Sequence, residues 1–497
     1  MKGPCLRAWQ TFRSRRQTFE SSRRTISTEL RSHFVGANSS GSVTQQYSSI
    51  EDYQDAVAAS QTQLNHEEDV ESSKRPGRAT PGANGWTKVS ILGKSAFVKT
   101  LRGPSDWDQK PPEVTPVLRG GGVLGLELRD QFVPLSARWL RDLCSCPLCR
   151  HPDTAQRQVN VFQSHAAAVQ IAKADLSSWP DQLFVTFADG HETNIPASII
   201  LDRYSIPTVK YKRNGIIQTI HWNSSIQQDP PVVQYNELDN QPGMGLLLQK
   251  LRIYGFCFVD EVPATPEATQ TLLESIGPIR NTHYGGFYDF TSDLSSKDTA
   301  YTSEALEPHT DNTYFTEPAG LQALHLLSHT NGTGGESSLV DGFAAADQLR
   351  QADHLAYQIL STTGVHAHAS GNEGVSIQPA QPYPILTHSS DAHRLMQVRW
   401  NNADRAGITA PWQKIDAWYE AAAKFDAILN DAKNQFWFQL KPGRMLIFDN
   451  WRVLHGRAAF TGKRRMCGGY INRDDFISRF RATNLSKEEI VATTVTG

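Results

Sequence analysis

Two groups of residues have the types and spacing for metal chemistry. Cys144, Cys146 and Cys149 stand in the run RDLCSCPLCRHP, three thiols within six residues. Thiolates this close can share one ion only where the backbone wraps around it, and Pro147 favours such a turn. Zinc takes four sulfur or nitrogen ligands in a tetrahedron, so a fourth ligand must come from elsewhere. His151 is near in sequence, but the ring it would close is cramped. His191 sits beside the Asp189-Gly190 turn and can reach across from a hairpin tip. With every position filled, such a site is structural; the competing reading is a reduced surface cysteine cluster. The second group begins with His309-Thr310-Asp311 in LEPHTDNTYFTEP. Alone, a His-x-Asp pair is a common coincidence.

Distant partners change its weight. His455, in FDNWRVLHGR, follows Asp311 by 144 residues, and Arg464 follows His455 by nine. Two histidines and one carboxylate form the facial set that holds non-haem Fe(II) and leaves its other positions open. On a strand, residues i and i+2 share a face, so His309 and Asp311 can meet one ion. A guanidinium fits a carboxylate through two parallel hydrogen bonds and stays charged when buried, so Arg464 suits the distal carboxylate of 2-oxoglutarate. The other end of that cosubstrate would chelate iron through its 1-carboxylate and 2-keto oxygen.

The elements that must carry these residues are legible in outline. In DQLFVTFADGHETNIP, strand-like halves flank Asp189-Gly190 as a hairpin. β-type runs dominate from WTKVSILG at Trp86 to about residue 215, which predicts a small β-rich domain over 85–225. IQQDPPVV, at 226–233, reads as the linker to a second domain over 226–497. There, helical patterns (245–252, 267–276, 343–352 and 412–432) alternate with strand-like runs at 320–329 and 443–450. His325 and His329 in the first of these runs read as structural, and Cys257 and Cys467 as buried thiols.

Ahead of both domains, residues 1–35 are acid-poor and rich in Arg and Ser. Leu6, Trp9 and Phe12 fall at helical spacing, and the first 19 residues carry five basic side chains and no acidic one. That composition predicts a mitochondrial transit peptide and a matrix location, with RRTIS at 23–27 as a processing site; the alternatives are a disordered basic tail and a cytoplasmic protein. Residues 36–84 are polar and poor in large apolar side chains, as in a disordered linker.

Over all 497 residues, 49 Lys and Arg balance 51 Asp and Glu, so no global basic field is present to hold nucleic acid. No apolar run approaches the roughly 20 residues needed to span a bilayer. Six cysteines, three of them crowded together, argue for reduced thiols around a local metal rather than a disulfide framework.

The run HTDNTYFTEPAGLQALHLLSHTNGTGGESSLVDGF together with KPGRMLIFDNWRVLHGR resembles the family of γ-butyrobetaine hydroxylases and trimethyllysine dioxygenases, among 2-oxoglutarate oxygenases of taurine-dioxygenase-like topology. WLRDLCSCPLCRHP is similar to that family's zinc-binding N-terminal domain, and the likeness covers about residues 115–480. It implies an α+β, mainly β fold, in which a double-stranded β-helix (jelly-roll) catalytic domain follows a small β-rich zinc domain. It also implies Fe(II), 2-oxoglutarate, O₂, ascorbate and a homodimer. By motif, His309, Asp311 and His455 become the iron ligands, Arg464 the cosubstrate arginine, and Ser337 a second cosubstrate contact where a threonine is more usual. Cys144, Cys146, Cys149 and His191 become the zinc ligands.

Both branches of the family accept a trimethylammonium compound, which has no N–H to donate and is recognised by aromatic faces. Tyr284, Tyr288 and Tyr301 fall where the family's cage lies; the plainer reading is that they are core aromatics. Asp298 stands where butyrobetaine hydroxylases tend to have asparagine. A carboxylate there repels a lone carboxylate and suits an α-ammonium, so the resemblance favours trimethyllysine, hydroxylated at C3 as the first step of carnitine biosynthesis. Asn401, Asn402 and Arg405 are candidates for the substrate carboxylate. The alternatives are γ-butyrobetaine, and a non-catalytic module that binds methyl-lysine.

Overall fold

The computed structural model describes residues 122–200 and 219–490, apart from short gaps at 129–130, 180, 198, 292–301, 372, 390–393 and 488, together with a few short strands nearer the N-terminus. The chain divides into two compact units, Met1–Arg102 and Gly103–Gly497. The leader at 1–35 and the polar stretch at 36–84 lie outside the described residues, save the paired strands Val35–Gly36 and Gln45–Gln46. Asp298 and Tyr301 also lie outside them. Thr87–Ile91 and Lys94–Val98 form an antiparallel pair where the β pattern begins.

The cysteine-bearing part of the second unit contains two three-stranded sheets. β1 (Val114–Arg119), β2 (Val123–Leu128) and β3 (Gln131–Ser136) form one antiparallel meander. β4 (Ile171–Asp175), β5 (Gln182–Phe187) and β6 (Glu192–Pro196) form the other. Alternation sets the faces: Leu183, Val185 and Phe187 of β5 point into one apolar core with Leu124 and Leu126 of β2 and Leu140 of the helix α1 (Ala137–Asp142). Ser136 caps α1 through the Trp139 N–H. The short helix delivers the chain to Cys144.

The larger part is built on two sheets with helices outside each. One is six-stranded, in the order β7 (Val232–Gln234), β8 (Phe256–Asp260), β14 (Arg444–Asp449), β11 (Leu321–Thr330), β16 (Lys463–Ile471), β9 (Tyr288–Thr291). The other has four strands, β10 (Leu306–His309), β15 (Val453–Arg457), β12 (Ser337–Asp341) and β13 (Gln435–Phe438). Period-two burial shows how they face. Phe256 and Phe258 of β8, Leu446 and Phe448 of β14, and Leu326 of β11 share one core with Leu339, Phe436 and Val453 of the smaller sheet. Cys257, Val259, Met445 and Ile447 point the other way, against α2 (Gln241–Tyr254), α3 (Pro266–Ile276) and α7 (Arg473–Asn484). Behind the smaller sheet, α4 (Gly342–Ala352), α5 (His354–Thr362) and α6 (Trp412–Asn430) pack Leu349, Leu360, Trp418 and Phe425 around Leu454.

Local chemistry explains the helix starts. Asn240 and Thr265 cap α2 and α3, each with a proline in the first turn, and Asp341 caps α4. Asp341 also receives the buried Arg452 guanidinium, Nε to Oδ1 at 2.9 Å and Nη2 to Oδ2 at 2.7 Å. The stretch 226–233, expected as a linker, instead enters the large sheet: Val232–Gln234 runs parallel to Phe258–Asp260. Its two prolines precede the strand, where a missing N–H breaks no ladder bond. Trp222 already belongs to this body, since its indole donates to Tyr254 O at 2.6 Å. No helix among the described residues is long and apolar enough to cross a membrane.

Candidate metal and cosubstrate site

His309 ends β10, and His455 lies directly opposite it on β15 in antiparallel register. Asp311 does not share a strand face with His309 as its spacing predicts: the strand stops at His309, so strand periodicity does not bring the carboxylate round. Thr310 turns the chain by bonding Trp400, N–H to carbonyl at 2.7 Å, while its hydroxyl accepts the Trp400 N–H at 3.0 Å. Asn312 then takes the left-handed conformation, φ 60°, which few side chains other than Asn and Asp adopt readily.

The result is a convergence. Asp311 Oδ1 lies 3.3 Å from His309 Nε2 and 3.9 Å from His455 Nε2, and all three ligand atoms fall within 4.8 Å of one another. Ligands about 2.1 Å from an ion along adjacent octahedral directions are about 3 Å apart, so a small contraction closes the set on one ion. His309 Nδ1 meets the Glu307 carbonyl at 2.8 Å, which leaves Nε2 for a metal. Burial works against charge here. It drives His455 down to about 3, helped by the nearby His309, so this imidazole is neutral at ordinary pH. Burial also opposes ionisation of Asp311, but His455, His309 and the Tyr470 hydroxyl outweigh it and hold the carboxyl well below the usual range. At His309 the desolvation is overcome by Asp311, and its affinity for a proton rises.

These atoms open onto a cavity of about 390 Å³. His309, Asp311, His455, Arg464, Ser337, Tyr284, Tyr288, Asn401 and Asn402 all line it. Arg405 does not. It lines a separate small recess, donates from Nε to Asn402 Oδ1 at 2.8 Å, and places its guanidinium 5.7 Å from the Trp418 ring and 5.6 Å from Tyr419. Asn401 is already engaged, donating to Asp404 Oδ2 at 2.8 Å.

Arg464 is the informative cation. It is 2% exposed, its Nε has no hydrogen-bond partner, and its Nη2 reaches only Met466 Sδ at 4.0 Å. Among the described residues no carboxylate ion-pairs with it, Glu336 acting only from farther away. A buried guanidinium without an anion is costly, so a carboxylate-bearing ligand in this cavity fits the residues present.

Several further residues, which no motif marks, line or support the cavity. Period two on β16 from Arg464 leads to Met466 and Tyr470, both in the wall. Gly468, at the intervening position of that face, leaves room for Tyr288, since a Cβ there would lie 2.8 Å from the Tyr288 hydroxyl. Gln322 and Asp404 also line the cavity. Asn450, which follows Asp449 at the end of β14, bonds the backbone of Asp311.

In the other part of this unit, His191 Nε2 lies 3.3, 3.8 and 3.6 Å from the sulfurs of Cys144, Cys146 and Cys149. Zinc bonds of about 2.3 Å to sulfur and about 2.0–2.1 Å to nitrogen, at tetrahedral angles, put S and N about 3.6 Å apart. The donor set therefore fits zinc. His151 is turned to its own loop, where Nδ1 accepts the Asp153 N–H at 3.2 Å. Asp189 fixes the hairpin tip by accepting from the His191 N–H and from Arg141, both at 3.1 Å.

Comparison with known proteins follows the same division. Residues 222–470 match the taurine catabolism dioxygenase TauD, TfdA family, and residues 120–198 match the gamma-butyrobetaine hydroxylase-like N-terminal family. Trimethyllysine dioxygenase of Neurospora crassa is 43% identical over 389 residues, spanning 71% of this chain and 81% of the relative. The mitochondrial trimethyllysine dioxygenase of Homo sapiens is 38% identical over 355 residues, 70% of this chain and 82% of the relative. The chain belongs to the trimethyllysine dioxygenase family. Gamma-butyrobetaine dioxygenase of Pongo abelii is more distant, 27% identical over 371 residues, 72% of this chain and 93% of the relative. Family membership makes the protein a TauD-type dioxygenase of mixed, mainly sheet architecture that depends on Fe(II) and 2-oxoglutarate.

Proposed function

We propose that this chain hydroxylates N6,N6,N6-trimethyl-L-lysine at C3, consuming O₂ and 2-oxoglutarate and releasing succinate and CO₂, the first step of carnitine biosynthesis. The observation that carries the reading is one cavity in which a converged His309, Asp311 and His455 stand with a buried Arg464 that ion-pairs with no carboxylate among the described residues. In it, His309 Nε2, Asp311 Oδ1 and His455 Nε2 hold Fe(II). The bound iron and cosubstrate supply the oxygen chemistry.

The chain's own residues bind, orient and exclude water. Arg464 takes the distal carboxylate of 2-oxoglutarate through two parallel bonds, with Ser337 beside it. Tyr284 and Tyr288 offer ring faces to the trimethylammonium head. Asn402 Nδ2 and the second N–H of Asn401 Nδ2, the first being given to Asp404, meet the substrate carboxylate. The α-ammonium has two acidic candidates, Asp298 and the wall residue Asp404. Arg405, stacked outside the cavity, acts on substrate only through Asn402.

Further elements of the reading rest on the likeness to the family and on the residues named. The two facing sheets are the halves of a double-stranded β-helix. Cys144, Cys146, Cys149 and His191 bind a structural zinc. Ascorbate keeps the iron reduced, and the protein works as a homodimer. The basic leader at 1–35 and the mitochondrial names of the vertebrate relatives favour import into the matrix. In the test, purified protein with Fe(II), ascorbate and 2-oxoglutarate is given trimethyllysine or γ-butyrobetaine, and 3-hydroxytrimethyllysine is measured directly. Turnover of γ-butyrobetaine alone would reverse the substrate assignment, and no turnover of either would leave the methyl-lysine-binding reading.

A further inference from the structure

Asp311 is held more tightly than a metal ligand on a strand would need, because it is not on one. Its Oδ1 faces the two imidazoles, while its Oδ2 accepts the Tyr470 hydroxyl at 2.6 Å. Its peptide groups are gripped by one side chain. Asn450 Oδ1 accepts the Asp311 N–H at 2.8 Å, and Asn450 Nδ2 donates to the Asp311 carbonyl at 2.9 Å and to Ala319 O at 3.1 Å. Asn450 is 1% exposed, so these bonds face no competition from solvent. They replace the ladder that ended at His309.

We infer that Tyr470 and Asn450 are positioning residues that select which oxygen of Asp311 meets the metal and keep that carboxylate monodentate. This rests on the reading of His309, Asp311 and His455 as metal ligands. A carboxylate has lone pairs on both oxygens and can close on an ion with one or with both. The phenol hydrogen bond occupies Oδ2 and leaves Oδ1 directed at His309 and His455. Asn450 fixes the backbone on both sides of the Asp311 Cα, so the carboxylate is presented from a fixed point and the Tyr470 hydrogen bond sets its orientation. A carboxylate held to one oxygen would leave room beside the ion for a chelating 2-keto acid and O₂, which a carboxylate closing with both oxygens would take up.

Tyr470 is itself well anchored. Its strand places it on the cavity face with Arg464 and Met466, and its ring meets Tyr288 edge-on, centroids 5.9 Å apart. Tyr288 is tied in turn to Ala323 O at 2.7 Å. Replacing Tyr470 by Phe removes one oxygen and keeps this ring packing.

The experiment uses full-length protein and Mn(II), whose hard character favours the carboxylate–imidazole set over thiolates. Binding is followed by loss of the free Mn(II) electron-resonance signal, and, with the Cys144, Cys146, Cys149 and His191 set first filled with zinc, Co(II) visible absorption reports coordination at the second set. Tyr470→Phe is expected to weaken Mn(II) binding about 10- to 100-fold, the usual effect of removing a group that orients a ligand, and to change the Co(II) spectrum. Asn450→Ser, which leaves the Tyr470 hydroxyl in place, is expected to weaken Mn(II) by a similar margin, and it stands in if Tyr470→Phe does not fold. Mn(II) affinity within twofold of the parent and an unchanged Co(II) spectrum, in whichever variant folds, overturns the inference. His309→Ala separates the two levels: if the parent shows no Mn(II) binding that this substitution abolishes, the ligand reading itself fails.

Discussion

Arg464→Lys isolates the cosubstrate's distal carboxylate. The parent guanidinium is 2% exposed and has no ion-pair partner among the described residues, an environment that suits an anionic ligand. Lysine keeps the charge and gives up the planar fork, reducing two parallel bonds to one. A hydrogen bond to a charged group contributes about 1.5–3 kcal/mol. At 1.4 kcal/mol per tenfold, that raises the half-saturating 2-oxoglutarate concentration roughly 10- to 150-fold. Arg464→Ala leaves the carboxylate buried with no partner, a loss of about 3–5 kcal/mol and more than about 100-fold. The assay varies 2-oxoglutarate at saturating trimethyllysine and follows succinate formation. KM for trimethyllysine should stay close to the parent's, because the role proposed for Arg464 is to hold the cosubstrate. An Arg464→Lys enzyme whose 2-oxoglutarate dependence moves by less than about twofold, or whose two KM values rise together, refutes the assignment.

Gly335→Ala should give a milder form of the same defect. Its φ is +73° and a new Cβ would sit 3.1 Å from Arg464 Cζ and Nη1, pushing the guanidinium aside; a wild-type 2-oxoglutarate KM would contradict this. His325 makes the fold acid-sensitive. The Gly443 N–H donates to its Nε2 at 3.3 Å and Nδ1 meets Thr269 Oγ1 at 2.7 Å, so the neutral ring is the one that fits, and burial lowers its pKa to about 4. Between about pH 4 and the ordinary imidazole value the unfolded chain binds the extra proton. Stability therefore falls as pH drops, by about 2 kcal/mol from pH 7 to pH 5. Urea unfolding of the parent and of His325→Gln checks it, the variant being expected to lose that pH-dependent increment and an identical pH slope counting against the role. Cys146→Ser should abolish stoichiometric zinc and expose residues 122–200 to proteolysis, measured by metal analysis and limited digestion; retained zinc would remove Cys146 from the ligand set.

Four helices and two strands of the larger part were readable because their burial is periodic, whereas α5, α7 and strands such as β8, β12 and β16 were not singled out. The patterns at 412–432 and 443–450 became Trp412–Asn430 and Arg444–Asp449 with small changes at the ends. The hairpin at Asp189-Gly190 was readable because Gly190, at φ 80°, is the residue that such a turn requires. Asp311 shows where local patterns stop. Its spacing from His309 pointed to a shared strand face, yet it is placed by Tyr470 and Asn450, whose contacts cross 159 and 139 residues of chain. No period in the sequence encodes such pairs. Arg405 illustrates the converse: motif position placed it with Asn401 and Asn402, and packing against Trp418 and Tyr419 turned it away.

The most direct test is product formation by the full-length protein with Fe(II), ascorbate, 2-oxoglutarate and trimethyllysine, run beside Asp311→Ala. The expected result is 3-hydroxytrimethyllysine formed in step with succinate, and none from Asp311→Ala. Equal product from Asp311→Ala, or succinate released without hydroxylated trimethyllysine, would contradict the assigned site and substrate.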